Sequence, residues 1–254
     1  MPSMDTRSLY DDNAAKWARN KPSSLSDFTG RPAVFELCGD VTALDVLDLG
    51  CGEGYCSREL MRRGASSMLG IELSAEMVDI ARQQEASLGQ GIQYRQGNAV
   101  ALTGVPSAGF DLVTAVFLYN YLTAEQMQAS FAEVYRVLRD GGAFVFSVPH
   151  PALGFIRTQH AAPFYFDTLD AGYFSGTDRQ FQGEIWRRDG TRLPVQMVHK
   201  TLSHYFEALG QAGFSCLPEI RELGVRQEHM ALDPDFFGPV QDIPLHLAVR
   251  IRKR

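Results

Sequence analysis

The sequence predicts an α/β fold, a mostly parallel sheet with helices on both faces, and three observations lead there. Residues 46–49, Val-Leu-Asp-Leu, are apolar apart from Asp48, as in a central parallel strand covered on both sides. Glycines then stand at alternate positions, Gly50, Gly52 and Gly54, where the backbone can turn sharply and approach a ligand. A helix follows, with its N-terminal N–H groups and positive dipole end directed at the turn. From residue 45 to 148 short apolar runs alternate with helical periods, the rhythm of a wound parallel sheet.

The elements follow in order. Tyr10, Ala14, Trp17 and Ala18 have helical spacing over residues 10–20, and Lys21-Pro22-Ser23-Ser24 breaks the helix. A second helix covers 32–38, with Pro32 in its first turn and Gly39 as its stop. The first strand is 45–49, its helix runs from 55 to 63 and Gly64 stops it. The second strand is 67–72, and Ser74 caps a helix to about residue 87. The third strand is 92–95 and the fourth 110–116. Thr123 and Gln126 form a capping box for a helix over 124–139, ended by Gly141-Gly142, and the fifth strand is 143–148. Residues 149–195 break the pattern with Pro149, Pro151, Pro163 and Pro194. They also hold Phe155, Phe164, Tyr165, Phe166, Tyr173, Phe174, Phe181 and Trp186. A disordered linker would be poor in aromatics, so this stretch reads as an ordered insertion packed over something. A strand over 194–201, a helix capped by Ser203 to 211, and strands at 214–222 and 243–251 close the chain, with 226–240 as a long loop.

Length and composition fit one domain with a modest lid. The chain has 254 residues, 45% hydrophobic and 21% charged. A net charge of −6 argues against a nucleic-acid substrate. The basic cluster Arg250, Arg252, Lys253 and Arg254 reads as a solvated end. Cys38, Cys51, Cys56 and Cys216 form no C-x-x-C pair, so a reducing, cytoplasmic compartment is expected. Residues 1–30 lack the apolar core of a signal peptide, and no run approaches the ~20 apolar residues of a membrane span. No histidine pair has metal-ligand spacing, and no metal is expected.

The glycine turn narrows the ligand. A dinucleotide fold needs G-x-G-x-x-G, but Tyr55 stands at the third glycine position and Gly54 falls one place early. A P-loop is excluded because no G-K-[S/T] follows. The spacing D-x-G-x-G-x-G over 48–54 resembles motif I of the class I, Rossmann-like S-adenosylmethionine-dependent methyltransferases. Arg31-Pro32-Ala33, the stretches 70–74 and 110–113, and residues 136–142 are also similar to that superfamily. Residues 115–122 and 147–151 look like a bacterial branch acting on small molecules. The resemblance implies one domain over 1–254, with N-terminal helices (1–38) and an aromatic-rich insertion (150–195) as lid parts. It implies seven strands in the order 3-2-1-4-5-7-6, the last antiparallel, with S-adenosylmethionine across the carboxyl ends of strands 1, 2 and 4, the switch-point crevice of open α/β sheets. S-adenosylhomocysteine would be the product.

Several residues carry specific expectations. Glu72, 22 positions after Gly50 and followed by Leu73, can accept hydrogen bonds from both ribose hydroxyls. Asp48, inside an apolar strand, needs donors, either turn N–H groups or the cofactor's amino end. Cys51, between two of the glycines, reads as a small packing residue in the cofactor turn rather than a nucleophile. The turn Gly97-Asn98-Ala99 is where the family reads adenine, often through an acid; Asn98 can still donate and accept. Met77 lies either on the adenine face or in the core. At the end of strand 4, a carbonyl among Ala115, Val116 and Phe117 can hold the ammonium group, and Phe117 can face the sulfonium. Tyr10 closes over the methionine moiety or merely anchors its helix. His150, just past strand 5, is the candidate general base, and Tyr119 and Tyr121 could orient substrate, or one of them could be core. The expected reaction is in-line methyl transfer to an N or O atom of a small molecule by a monomer or homodimer, with no nucleic acid and no membrane. The alternatives are a nicotinamide-dependent oxidoreductase and a non-catalytic S-adenosylmethionine-binding sensor or partner subunit.

Overall fold

In the computed structural model, Asp11, Trp17, residues 21–156 and residues 162–254 are described. Two short helices, α1 (Leu25–Thr29) and α2 (Arg31–Cys38), precede the sheet. Then come β1 (Asp45–Leu49), α3 (Tyr55–Arg62), β2 (Ser67–Glu72), α4 (Ala75–Leu88), β3 (Gln93–Gln96) and β4 (Phe110–Val116). α5 (Ala124–Val137) leads directly into β5 (Leu138–Pro149). The insertion carries β6 (Phe164–Asp167), β7 (Gln180–Trp186) and β8 (Arg192–Val198). The chain ends with α6 (Leu202–Ala212), β9 (Glu219–Leu223), α7 (Gln227–Leu232), α8 (Pro234–Phe237) and β10 (His246–Arg252).

The main sheet has seven strands in the order β3-β2-β1-β4-β5-β10-β9. With the three insertion strands set aside, this is 3-2-1-4-5-7-6, as the sequence implies. β1 is parallel to β2 and β4, and β10 is antiparallel to both β5 and β9. Both faces are covered, which is why β1, β4 and β5 read as nearly continuous apolar runs. One face packs α5 and α6 through Phe131, Phe144, Phe146 and Tyr205, and the other packs α2, α3 and α4 through Val34, Leu60 and Val78.

The caps fall where the side chains predict. Ser74 Oγ accepts the Met77 N–H at 3.1 Å at the start of α4. Thr123 and Gln126 bond reciprocally at 3.2 and 3.0 Å at the start of α5. α5 stops two residues short of the expected 139, because Leu138 turns into β5. Arg139 then reaches Asp111 at 2.6 Å and Asp45 at 2.8 Å, which ties the bases of β4 and β1 together. α6 is capped by Thr201 rather than Ser203.

Two stretches differ from the sequence expectation. Residues 149–195 contain an antiparallel three-stranded sheet, order β6-β7-β8. Pro194 is accommodated because β8 is an edge strand, where a missing N–H can face away from the ladder. This small sheet has its own core of Phe164, Phe166, Phe181 and Met197, shared with Leu25, Phe237 and Leu245. The region 226–240, expected as a loop, instead forms α7 and α8, and Asp233 caps α8 by accepting the Phe236 N–H at 3.1 Å.

Candidate active site

Gly50, Gly52 and Gly54 all have positive φ, at 65°, 55° and 88°. That backbone favours glycine and folds the chain back under β2. The turn is braced rather than open. Gly50 N–H and Cys51 N–H both donate to Ile71 O, at 2.8 and 3.2 Å. Gly52 N–H donates to Glu72 Oε2 at 3.0 Å, and Ser74 N–H donates to Oε1 of the same carboxylate at 2.9 Å. A diphosphate needs such N–H groups free, and here three are committed, one to a carboxylate that would repel it. The nicotinamide alternative therefore finds no support in this turn. A Cβ on Gly52 would meet no protein atom within 4 Å, so its open side faces empty space.

That space is a cavity of about 280 Å³ along the carboxyl edge of β1, β2 and β4. Of the cofactor residues read from sequence, Asp48, Gly50, Cys51, Gly52, Glu72, Leu73, Met77, Asn98, Ala99, Val116 and Phe117 line it. Ala115 sits one residue back in β4, fully buried beneath the floor. Tyr10 lies outside the described residues. Next to it in sequence, Asp11 accepts the Ser74 hydroxyl, and Trp17 lines the cavity.

Electrostatics separate the two ends of the crevice. Burial raises the pKa of Glu72, while the Ser74 and Gly52 N–H groups oppose the rise. Asp48 is 1% exposed, and burial pushes its pKa up to about 6. Of the two donors anticipated, turn N–H groups or the cofactor's amino end, the turn supplies none; the hydroxyls of Ser57 at 2.6 Å and Thr114 at 3.0 Å donate to it. Asp48 thus ties α3 to β4 beneath the turn. Burial also raises the Cys51 thiol, consistent with a packing role. Asn98 Oδ1 accepts the Val100 N–H at 3.0 Å, so the side of the amide left for a ligand is its NH₂ donor.

Two residues anticipated as catalytic are placed elsewhere. Tyr119 is fully buried, wedged among Phe131, Phe144 and Phe146, with its hydroxyl 3.3 Å from Ser130 Oγ. It is a core residue. His150 uses both ring nitrogens. Nδ1 accepts the Ala152 N–H at 3.2 Å and Nε2 lies 2.8 Å from Glu222 Oε1. The ring ties the end of β5 to β9, and Pro149, not His150, lines the cavity. Tyr121 does line it.

Among the polar lining residues that sequence reading missed are Arg31, Asn120 and His246. Arg31 pairs with Asp27 at 2.7 Å and lies over the Phe117 ring at 5.2 Å. His246 opens β10 opposite Pro149. The signal for it was present: because β10 runs antiparallel, its first residue lies at the carboxyl edge of the parallel strands, and a histidine interrupts the apolar run there. The small sheet adds an apolar wall to the cavity, with Phe164, Phe166, Ile185 and Val195. S-adenosylmethionine fits this donor set. A carboxylate, an amide donor, an aromatic face and a cation all line the one cavity.

Comparison with known proteins agrees. Residues 46–142 match the family model described as a methyltransferase domain. An S-adenosylmethionine-dependent methyltransferase from Mesorhizobium loti superposes with a TM-score of 0.67 at 26% identity, covering 87% of this chain and 96% of that one. A demethylmenaquinone methyltransferase from Lactococcus lactis is 33% identical over 48% of this chain and 49% of its own length. An uncharacterized protein from Haemophilus influenzae is 26% identical over 74% of this chain and 64% of its own. The chain thus spans between about half and two thirds of these two curated relatives. Glycine turn, strand order and family match agree: residues 46–142 carry a methyltransferase domain, and the chain has the fold of the class I, Rossmann-like S-adenosylmethionine-dependent methyltransferases.

Proposed function

We propose that this protein transfers a methyl group from S-adenosylmethionine to an N or O atom of a small, largely apolar molecule. The observation that carries the reading is one cavity whose lining joins the polar Glu72 and Asn98 to the apolar Phe164, Phe166 and Ile185. S-adenosylmethionine supplies an electrophilic methyl group whose leaving group, a neutral thioether, needs no proton. The protein's task is then alignment and exclusion of water, which suits a site without a nucleophile–base pair. Glu72 would accept the ribose hydroxyls, Asn98 would donate to adenine, and Met77 and Leu73 would flank the base. Arg31 provides a countercharge for the methionine carboxylate. The face of Phe117 attracts a cation by ~0.5–2 kcal/mol.

Small acceptors are supported by the relatives. The Lactococcus lactis protein is named for demethylmenaquinone, and a Serratia marcescens relative, 33% identical over 37% of its length, for malonyl-[acyl-carrier protein]. A net charge of −6 disfavours a nucleic-acid acceptor. No described helix is long and apolar enough to cross a membrane, and all four cysteines are free. We take the enzyme to work in the cytoplasm as a monomer or homodimer, with residues 1–38 and 150–195 enclosing the site. The test is release of S-adenosylhomocysteine, followed by mass spectrometry, across a panel of phenols, amines and quinols. Acceptor-dependent release is expected. Tight S-adenosylhomocysteine binding with no release for any acceptor would favour the sensor reading instead.

A further inference from the structure

The crevice has a second polar centre, away from Glu72 and Asn98. His246 is fully buried, with the Phe117 and Phe164 rings at centroid separations of 5.1 and 5.4 Å. The hydroxyl of Thr29 lies 2.9 Å from Leu25 O and 2.9 Å from His246 Nε2. In the arrangement where its one proton goes to the carbonyl, its oxygen accepts from the ring and Nε2 carries the ring proton. Nδ1 is then left as a lone pair, buried and without a hydrogen-bond partner among the described residues. A buried acceptor in that state is costly, and native proteins usually fill it.

The surrounding charges keep it an acceptor. Burial, then Arg31 and His150, push the His246 pKa down to about 3, so the ring is neutral near pH 7. Arg31 is itself held by Asp27 at 2.7 Å, and His150 faces Glu222 at 2.8 Å. The rest of this end of the cavity is apolar, formed by Phe164, Phe166, Ile185 and Val195. A second buried acceptor, Asn120 Oδ1, also without a partner, belongs to a residue lining the same cavity.

We propose that His246 Nδ1 recognises a hydroxyl on the methyl acceptor, and that the acceptor is a neutral aromatic alcohol. The inference rests on the methyl-transfer reading for the word acceptor, but the recognition itself is testable without turnover. A flat ring suits a cavity lined by Phe117, Phe164 and Phe166, and its O–H supplies the donor that Nδ1 lacks. A carboxylate or phosphate would bring a negative charge and no donor against a bare lone pair, which the site disfavours.

The test uses the whole chain loaded with S-adenosylhomocysteine, and 2-naphthol and 2-fluoronaphthalene as probes of similar shape with and without an O–H donor. Calorimetry is expected to show wild type preferring naphthol by about tenfold. In His246→Gln the amide reaches Thr29 but leaves no acceptor at the Nδ1 position, and the preference disappears while S-adenosylhomocysteine affinity is kept. In His246→Asn, whose amide oxygen falls near Nδ1, part of the preference returns. Thr29→Val, which frees the tautomer without touching the ring, also narrows it. Equal affinity of wild type for the two probes, no saturable naphthol binding, or a preference unchanged in both His246→Gln and Thr29→Val would overturn the inference. Failure of S-adenosylhomocysteine itself to bind would overturn the proposed function instead.

Discussion

At the scale of single residues, the site rests on a carboxylate with two tasks. Glu72 holds the glycine turn through Gly52 and Ser74 while presenting its oxygens to the cavity. Replacing it by Gln keeps the shape but loses charge-assisted bonds, each worth roughly 1.5–3 kcal/mol. Glu72→Gln is therefore expected to weaken S-adenosylhomocysteine binding about 10- to 100-fold in calorimetry, with a small change in Tm. The glycines divide differently. A methyl group on Gly52 enters empty space, whereas on Gly54 it would lie 2.2 Å from Tyr94 Oη. Gly52→Ala should lose ligand affinity at a stability cost of about 1–2 kcal/mol for its left-handed backbone. Gly54→Ala should lower Tm strongly, because Tyr94 must also move; thermal melts beside titrations separate the two. Glu72 and the glycines were legible because their chemistry depends on local spacing. His246 was signalled only by the histidine at the head of the last strand. Arg31 was not legible, since its place in the crevice depends on which helix end the fold brings there. His150 misled for the same reason: its loop position was right, but β9 supplies Glu222 to occupy its ring.

At the scale of elements, the parallel strands were readable because burial on both faces leaves short apolar runs bounded by glycines and caps. Of the insertion strands only β8 was read, as 194–201; β6 and β7 were not, because Gly183 interrupts β7 and aromatic residues mask their alternation. The junction of the insertion with the main sheet contains an unusual group. Lys200, 1% exposed, donates to Leu122 O and to Val198 O at the end of β8. Burial lowers its pKa from 10.5 to about 7, against the opposing pull of Asp178. Between those two values the unfolded chain holds a proton that the folded protein does not, so stability rises with pH across that window, and the penalty is complete below it. Urea midpoints are expected to increase from about pH 7 to about pH 9.5 in wild type. Lys200→Met, which carries no titrating group, should flatten that slope; a slope unchanged by the substitution would show that other groups cause it.

At the scale of the whole molecule, the crevice is assembled from parts distant in sequence. β1, β2 and β4 give the floor, the small sheet gives a wall, Trp17 reaches in from the N-terminal segment, and His246 arrives with the last strand. A ligand that touches all of them binds only the folded chain. Saturation at a hundredfold excess over Kd therefore adds about 2.7 kcal/mol to the unfolding free energy, a rise in Tm of roughly 5–10 °C for a chain of this size. NAD, which would need a free diphosphate cradle, is expected to give no rise. The most direct measurement is a calorimetric titration of the wild-type protein with S-adenosylhomocysteine and, separately, with NAD. Saturable one-to-one binding of S-adenosylhomocysteine and none of NAD is the predicted result. Saturable NAD binding with no heat from S-adenosylhomocysteine would contradict the account.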